Sequence, residues 1–273
     1  MSEITAGLKK RPLAGFYLLA CGLSWAIQVP LALQAQGLIR SSIPFSTHYL
    51  SAFGPMLAAW IVTLIIAGPG GWKELLGKMT KVRLPARWWL WAVSPLLLYL
   101  AAALAVMLLS GRAPVFHDLG KVDFLPDLGA GTLFLWVFTF GFGEETGWRG
   151  FALPRLQRGR SALTATLILW GLWALWHSPL FFYAYDLATL PGFLIGLLAG
   201  AVTLTWLYNS TGSIWIAALF HGTFNFTTAC TACKSGIASP LISAAVMAWA
   251  VLIVIRYKPA KLSAQQRLMI TPP

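Results

Sequence analysis

The stretch Phe140-Gly141-Phe142-Gly143-Glu144-Glu145-Thr146-Gly147-Trp148-Arg149-Gly150 sets two acids side by side inside an apolar run, directly after Leu133-Phe134-Leu135-Trp136-Val137-Phe138. A carboxylate near a bilayer centre costs at least ~2.5–3.5 kcal/mol on insertion scales, so acids within spans face the bundle interior, find partners and mark functional sites. The whole chain of 273 residues carries only eight acids, so a pair at this place is not background.

Composition supports the membrane reading independently of that stretch. The chain is 58% hydrophobic and 10% charged, far from the roughly 25% charged of soluble domains. With spans of about 20 residues each, it holds an all-α, polytopic transmembrane bundle of about eight helices, a single membrane domain over residues 1–273. The apolar stretches fall at 13–35, 49–67, 88–109, 131–151, 162–184, 191–208, 212–230 and 236–256. The break between the sixth and seventh, Tyr208-Asn209-Ser210-Thr211-Gly212, has the composition of a turn, with a re-entrant hairpin as the alternative.

Charge tests this count, because cytoplasmic loops collect Lys and Arg. Lys9, Lys10 and Arg11 precede the first span, and Lys73, Lys78, Lys81, Arg83 and Arg87 lie between the second and third. Arg155, Arg158 and Arg160 separate the fourth and fifth, and Arg256, Lys258, Lys261 and Arg267 follow the eighth. The opposite side has only Arg40, Arg112, Lys121 and Lys234, beside Asp118, Asp123, Asp127 and Asp186. Both termini are therefore expected to be cytoplasmic. The same asymmetry accounts for the net charge of +12 as basic loops meeting anionic membrane lipids. No nucleic-acid module or aromatic-interleaved basic patch appears, and no nucleic-acid partner is expected.

Lys9-Lys10-Arg11 before an apolar run and Ala35-Gln36-Gly37 after it mimic a signal peptide. The run exceeds the 7–15 residues of a signal core, so an uncleaved first span is expected. Trp72, Leu75, Leu76 and Met79 recur at helical spacing among Lys73, Glu74, Lys78 and Lys81, which predicts an interfacial helix that anchors the bundle. Cys230 and Cys233 form a lone C-x-x-C; without a second pair or a His pair it is read as structural.

Of four histidines, His48 and His117 lie in or beside outer loops and are read as solvated or interfacial. His177 falls within the fifth span and His221 within the seventh. Together with Glu144, Glu145, Arg149 and Asn225 they form the polar set well inside the spans. Side chains four apart on a helix share a face, and an acid N-terminal to its base is the favourable orientation. Arg149 is therefore expected to hold Glu145 as a structural partner. Glu144, turned about 100° away on an α-helix, is left free to work. His221 and Asn225 are also four apart, so both can aim hydrogen-bond donors at one developing oxyanion. His177 is placed to help Glu144 orient and deprotonate a water. The set suits hydrolysis of an acyl bond. Counting from the inner span ends at 1.5 Å per residue puts Glu144 at ~10 Å depth, His221 at ~15 Å and His177 at ~22 Å, a mismatch of level that a structure must reconcile.

Glu144-Glu145-Thr146-Gly147-Trp148-Arg149, then Trp173-Ala174-Leu175-Trp176-His177, then His221-Gly222-Thr223-Phe224-Asn225 resemble the three ordered motifs of the CaaX prenyl endopeptidase and bacteriocin-processing (CPBP, or Abi) family. The resemblance covers about residues 131–230, the expected catalytic core. It implies a glutamate-dependent intramembrane endopeptidase. The residues matching Glu144 and His177 activate water, those matching His221 and Asn225 form the oxyanion hole, and Glu145 and Arg149 support them. Trp173 stands where the family usually has Phe and is read as a packing aromatic. The expected substrate is a protein or peptide, with or without a lipid modification, and the expected location is the bacterial inner (cytoplasmic) membrane.

Zinc is the mechanistic rival, since Glu and His are ligand types. No His-Glu-x-x-His is present, and a catalytic zinc takes three protein ligands plus water, leaving Glu144 either ligand or base. No cofactor is expected. The rival class is a non-catalytic interaction or bacteriocin self-immunity protein on the same scaffold. A transporter would show repeats of hydropathy and matched broken helices, and none is visible.

Overall fold

Proline at the first turn, which lacks only an N–H that the helix leaves unpaired anyway, starts several of the long apolar helices in this computed structural model. It describes residues 3–111, 120–122, 128–229, 238–266 and 268–269. His117, Cys230, Cys233, Arg112, Asp118, Asp123, Asp127, Lys234 and Arg267 lie outside the described residues. After a short helix, α1 (Glu3–Lys10), come α2 (Pro12–Ala35), α3 (His48–Ser51) and α4 (Gly54–Met79). The bent pair α5 (Ala86–Ala92) and α6 (Ser94–Ser110) meets at 63°. Next come α7 (Gly131–Trp136), two π-helical segments (Val137–Glu144 and Thr146–Ala152) and α8 (Leu153–Leu156). The chain continues as α9 (Ala162–Trp176), α10 (Leu190–Thr211), α11 (Ile214–Ala229) and α12 (Ala238–Lys261). Among the described residues there is no strand.

All eight expected apolar stretches are helical where described, but they are not equally long. Among the described residues, five helices are long and apolar enough to cross a membrane, six if the α5–α6 pair is one broken span. The fourth stretch runs as one unbroken helix from Gly131 to Leu156 whose turns alternate between α and π. The seventh, α11, is described as far as Ala229 and is mostly buried among its neighbours. Gly212, at φ 64°, caps α10 in the left-handed conformation, so the sixth and seventh stretches are separate helices joined by a tight turn.

The expected interfacial helix is the continuation of α4 beyond a kink at Gly68, whose φ of 60° suits a residue without Cβ. Leu75 turns into the core while Trp72 and Leu76 stay exposed, and Lys78 pairs with Glu74 at 2.6 Å. Near the basic loops, Gln157 and Asn209 exchange hydrogen bonds of 3.0 and 2.8 Å. They also donate to the carbonyls of Leu268 and Lys261, which ties the C-terminal segment to α10.

The π segment sits in the middle of this bundle, against α4 and α11. Close approach there depends on glycine. A Cβ on Gly143 would lie 2.5 Å from the carbonyl oxygen of Ala52, a backbone atom that cannot swing aside. Gly143→Ala is therefore expected to destabilise by about 1–3 kcal/mol, the range for overpacking, read as a lower thermal midpoint in detergent. Gly77→Ala is the control, because a Cβ there meets nothing within 4 Å. Equal midpoints for the two variants would remove the close approach as a constraint.

Candidate functional site

Glycine has poor helix propensity, and Gly141, Gly143, Gly147 and Gly150 crowd one stretch, so the acid pair rides on an irregular helix. Val137–Glu144 and Thr146–Ala152 are π-helical, a form that marks functional sites more often than regular helix does. The 100° separation expected on an α-helix thus does not describe the acid pair. The four-residue pairing survives the change: Arg149 Nη1 donates to Glu145 Oε1 at 2.9 Å, with both side chains fully shielded from solvent.

Glu145 has a second partner that the spacing did not reveal. His221 Nδ1, from α11, lies 2.9 Å from the same Oε1. An ionised carboxylate only accepts, so Nδ1 carries the proton and donates. Glu145 thereby fixes the ring plane of His221 as well as the position of Arg149. No sequence signal links residues 76 apart on different helices.

Glu144 is held differently. Its Oε2 accepts the indole N–H of Trp173 at 2.6 Å, and Oε1 accepts no bond from the described residues. Trp173 is consequently not the plain packing aromatic that its place in the motif suggested. Its backbone carbonyl is 2.7 Å from His177 Nδ1; a carbonyl only accepts, so Nδ1 of His177 holds a proton and Nε2 of the neutral ring keeps its lone pair. The guanidinium carbon of Arg149 stands 4.5 Å over the indole ring. The rings of His177 and His221 are each 5.6 Å from that of Trp173, centre to centre.

Trp173 is thus the meeting point of three elements. His177 lies just past the end of α9, before a 3₁₀ turn at Ser178–Phe182, one turn beyond the residue that reaches Glu144. A cavity of about 770 Å³ is lined by Glu144, Trp173, His177, His221 and Asn225. Glu145 and Arg149 do not line it. Glu144 is 2% exposed and the two histidines 8% each, while Asn225 is half-buried.

Other expectations need correction. His48 is not solvated: it is half-buried, lines the same cavity and has Nδ1 2.7 Å from the hydroxyl of Tyr183. The 3₁₀ turn Phe45–Thr47 and α3 fold the connection back over the cavity, where Phe45 and Phe140 flank the ring. Gln28, overlooked in the polar set, is fully buried in α2 and donates to Ser51 Oγ at 3.1 Å. Its amide near the middle of an apolar span was the available signal. For metal, the Nδ1 atoms of both histidines are engaged by Glu145 and the Trp173 carbonyl. Among the described residues no three His, Cys, Asp or Glu side chains are grouped to hold an ion.

Comparison with known proteins points the same way as the motifs. The family described as Type II CAAX prenyl endopeptidase Rce1-like matches residues 126–227, a range that holds all three motifs. CAAX prenyl protease 2 of Methanococcus maripaludis is 32% identical over 115 residues, covering 38% of this chain and 40% of that relative. The matched region thus spans about two fifths of the relative's length.

Breaking a buried ion pair by removing one partner costs about 3–5 kcal/mol, because the other charge is stranded. Arg149→Met is accordingly expected to lose most folded protein, seen as aggregation on size exclusion and a lower thermal midpoint. The double variant Glu145→Gln with Arg149→Met should recover part of that loss. A single variant as stable as wild type would show that the pair does not hold the π segment in place.

Proposed function

We propose that this chain, a member of the Rce1-like CAAX prenyl endopeptidase family over residues 126–227, is an intramembrane endopeptidase in which Glu144 is the base for peptide-bond hydrolysis. The observation that carries this is the division of the polar set: Glu144, His177, His221 and Asn225 line one cavity, and Glu145 and Arg149 stand behind it.

Water enters between Glu144 and His177, donating one proton towards each, since Nε2 of His177 is an acceptor. As the oxygen attacks the scissile carbonyl, Glu144 takes its proton. The carbonyl oxygen gains charge and accepts from Asn225 Nδ2–H and from Nε2–H of His221. For Nε2 of His221 to donate, the ring must carry both protons, and Glu145 on Nδ1 is the counter-ion that holds it so. Two carboxylates then face an imidazolium and a guanidinium, a set without net charge. Each oxyanion donor is worth roughly 2.7–4 kcal/mol. Collapse of the intermediate breaks the C–N bond, and Glu144 returns its proton to the leaving amine.

The reaction needs no metal in this scheme, and the substrate is a protein or peptide that reaches the cavity from the membrane. We place the chain in the bacterial cytoplasmic membrane with both termini on the cytoplasmic side, the side of the basic loops. With Cys21, Cys230 and Cys233 replaced by serine, a cysteine introduced at the N-terminus should resist membrane-impermeant thiol reagents in intact cells and react after lysis. Labelling in intact cells would reverse the orientation.

The decisive measurement compares terminal peptides in membrane fractions carrying wild type and Glu144→Gln. New C-terminal ends should appear only with wild type; equal cleavage by Glu144→Gln would end this reading. With the substrate so identified, Asn225→Ala is expected to lower kcat by about 10²–10³. Cleavage should persist after chelation, and loss restored by zinc would make the protein a metalloenzyme.

A further inference from the structure

Trp173 is 3% exposed, and four separate contacts decide where its indole points. The face is occupied by the Arg149 guanidinium, with its carbon 4.5 Å from the ring centre. The ring packs edge-on to His221 and is tilted against His177. Its backbone belongs to α9 and holds His177 through the carbonyl. What remains is the N–H, and it ends on Glu144 Oε2 at 2.6 Å.

We propose that Trp173 is a positioning residue: its indole N–H pins Oε2 of Glu144 and so presents Oε1 to the cavity. This rests on the reading of Glu144 as the base. An indole nitrogen is a donor only, so the bond has one sense, and the carboxylate must accept. The contact is shorter than an ordinary N–H···O bond, the direction in which an ionised acceptor shifts the distance. A carboxylate held by neither oxygen can rotate about its terminal torsion, which is broad for an sp²-ended side chain. One fixed oxygen removes that freedom and leaves the other as the only one free to meet water.

Packing alone does not account for the contact. Trp148 and Trp176 are also buried in this core, and their indole nitrogens have no partner among the described residues. Those two rings fill space; Trp173 fills space and donates. Phenylalanine, usual at this place in the resembling family, would keep the packing and the face for Arg149 but offers no N–H. This chain therefore holds its base in a way that a phenylalanine at the same position cannot.

Two replacements separate the N–H from the ring. Trp173→Phe keeps an aromatic face; the benzothiophene isostere of tryptophan at 173 keeps shape and face and deletes only the donor. On the substrate found by the terminal-peptide comparison, both are expected to lower kcat about 10- to 100-fold, the scale of a small misplacement of a reacting group. KM should stay within about twofold and the thermal midpoint of the isostere should match wild type. Infrared difference spectra of wild type against Glu144→Gln isolate the carboxyl band of Glu144, and that band should shift when the donor is deleted. An unshifted band in the isostere overturns the proposal, whatever the turnover. A rise in KM with kcat held also overturns it, since the ring would then be touching substrate. If Glu144→Gln cleaves as well as wild type, or no substrate emerges, the hydrolase reading fails, and the infrared band still decides whether Trp173 positions Glu144.

Discussion

Arg149 and Glu145 meet at 2.9 Å with both side chains wholly shielded from solvent, and taking such ions out of water costs several kcal/mol each before any attraction is counted. The partners offset part of that cost, since Glu145 Oε2 and Arg149 Nε and Nη2 have no hydrogen-bond partner among the described residues. Glu145 is met by His221 from α11 at 2.9 Å, and Arg149 by the ring of Trp173 from α9 at 4.5 Å. The pair brings three elements together, and the partner side chains turn inward whether or not the rest of their helix is exposed, as Leu167 and Leu175 of α9 are. α11 itself runs through the interior, with Ile214, Ile216, Ala217, Ala218 and Phe220 all buried.

Close packing around the ions has a second requirement, which is that backbones come nearer than side chains allow. Gly141 and Gly143 supply it towards the Ala218 and Ala52 carbonyls. The same glycines weaken α-helical preference, and the π form of this stretch fits that loss. Rigidity is then restored from outside, by Phe16 and Trp176 packed on Trp148 at 5.5 and 5.9 Å. Sequence weakness, close approach and aromatic clamping are three aspects of the same local constraint.

The fold was largely legible because apolar runs of span length have few other uses, and the Glu145–Arg149 pair was legible because a four-residue spacing is local. What the sequence hid was which side chains pair across helices. The 76-residue separation of Glu145 and His221 leaves no periodic trace. Trp173 looked like packing because indoles usually pack, and only geometry separates it from Trp148. His48 looked exposed because it sits in a connection, and connections usually run over the surface; here the chain folds back beneath Tyr183.

The two histidines of the cavity illustrate how far identical residues are separated by what one ring nitrogen touches. At His177 the Nδ1 partner is a neutral carbonyl, which fixes the tautomer but adds no charge to favour an imidazolium, so Nε2 stays an acceptor. At His221 the partner is a carboxylate, which orients the ring and sets a negative charge beside it. The two imidazoles thus differ in what holds Nδ1 without any difference in side-chain type. The acid pair divides on the same principle. Glu145 is engaged by Arg149 and His221 away from the cavity lining, whereas Glu144 lines the cavity and accepts from one neutral donor on one oxygen.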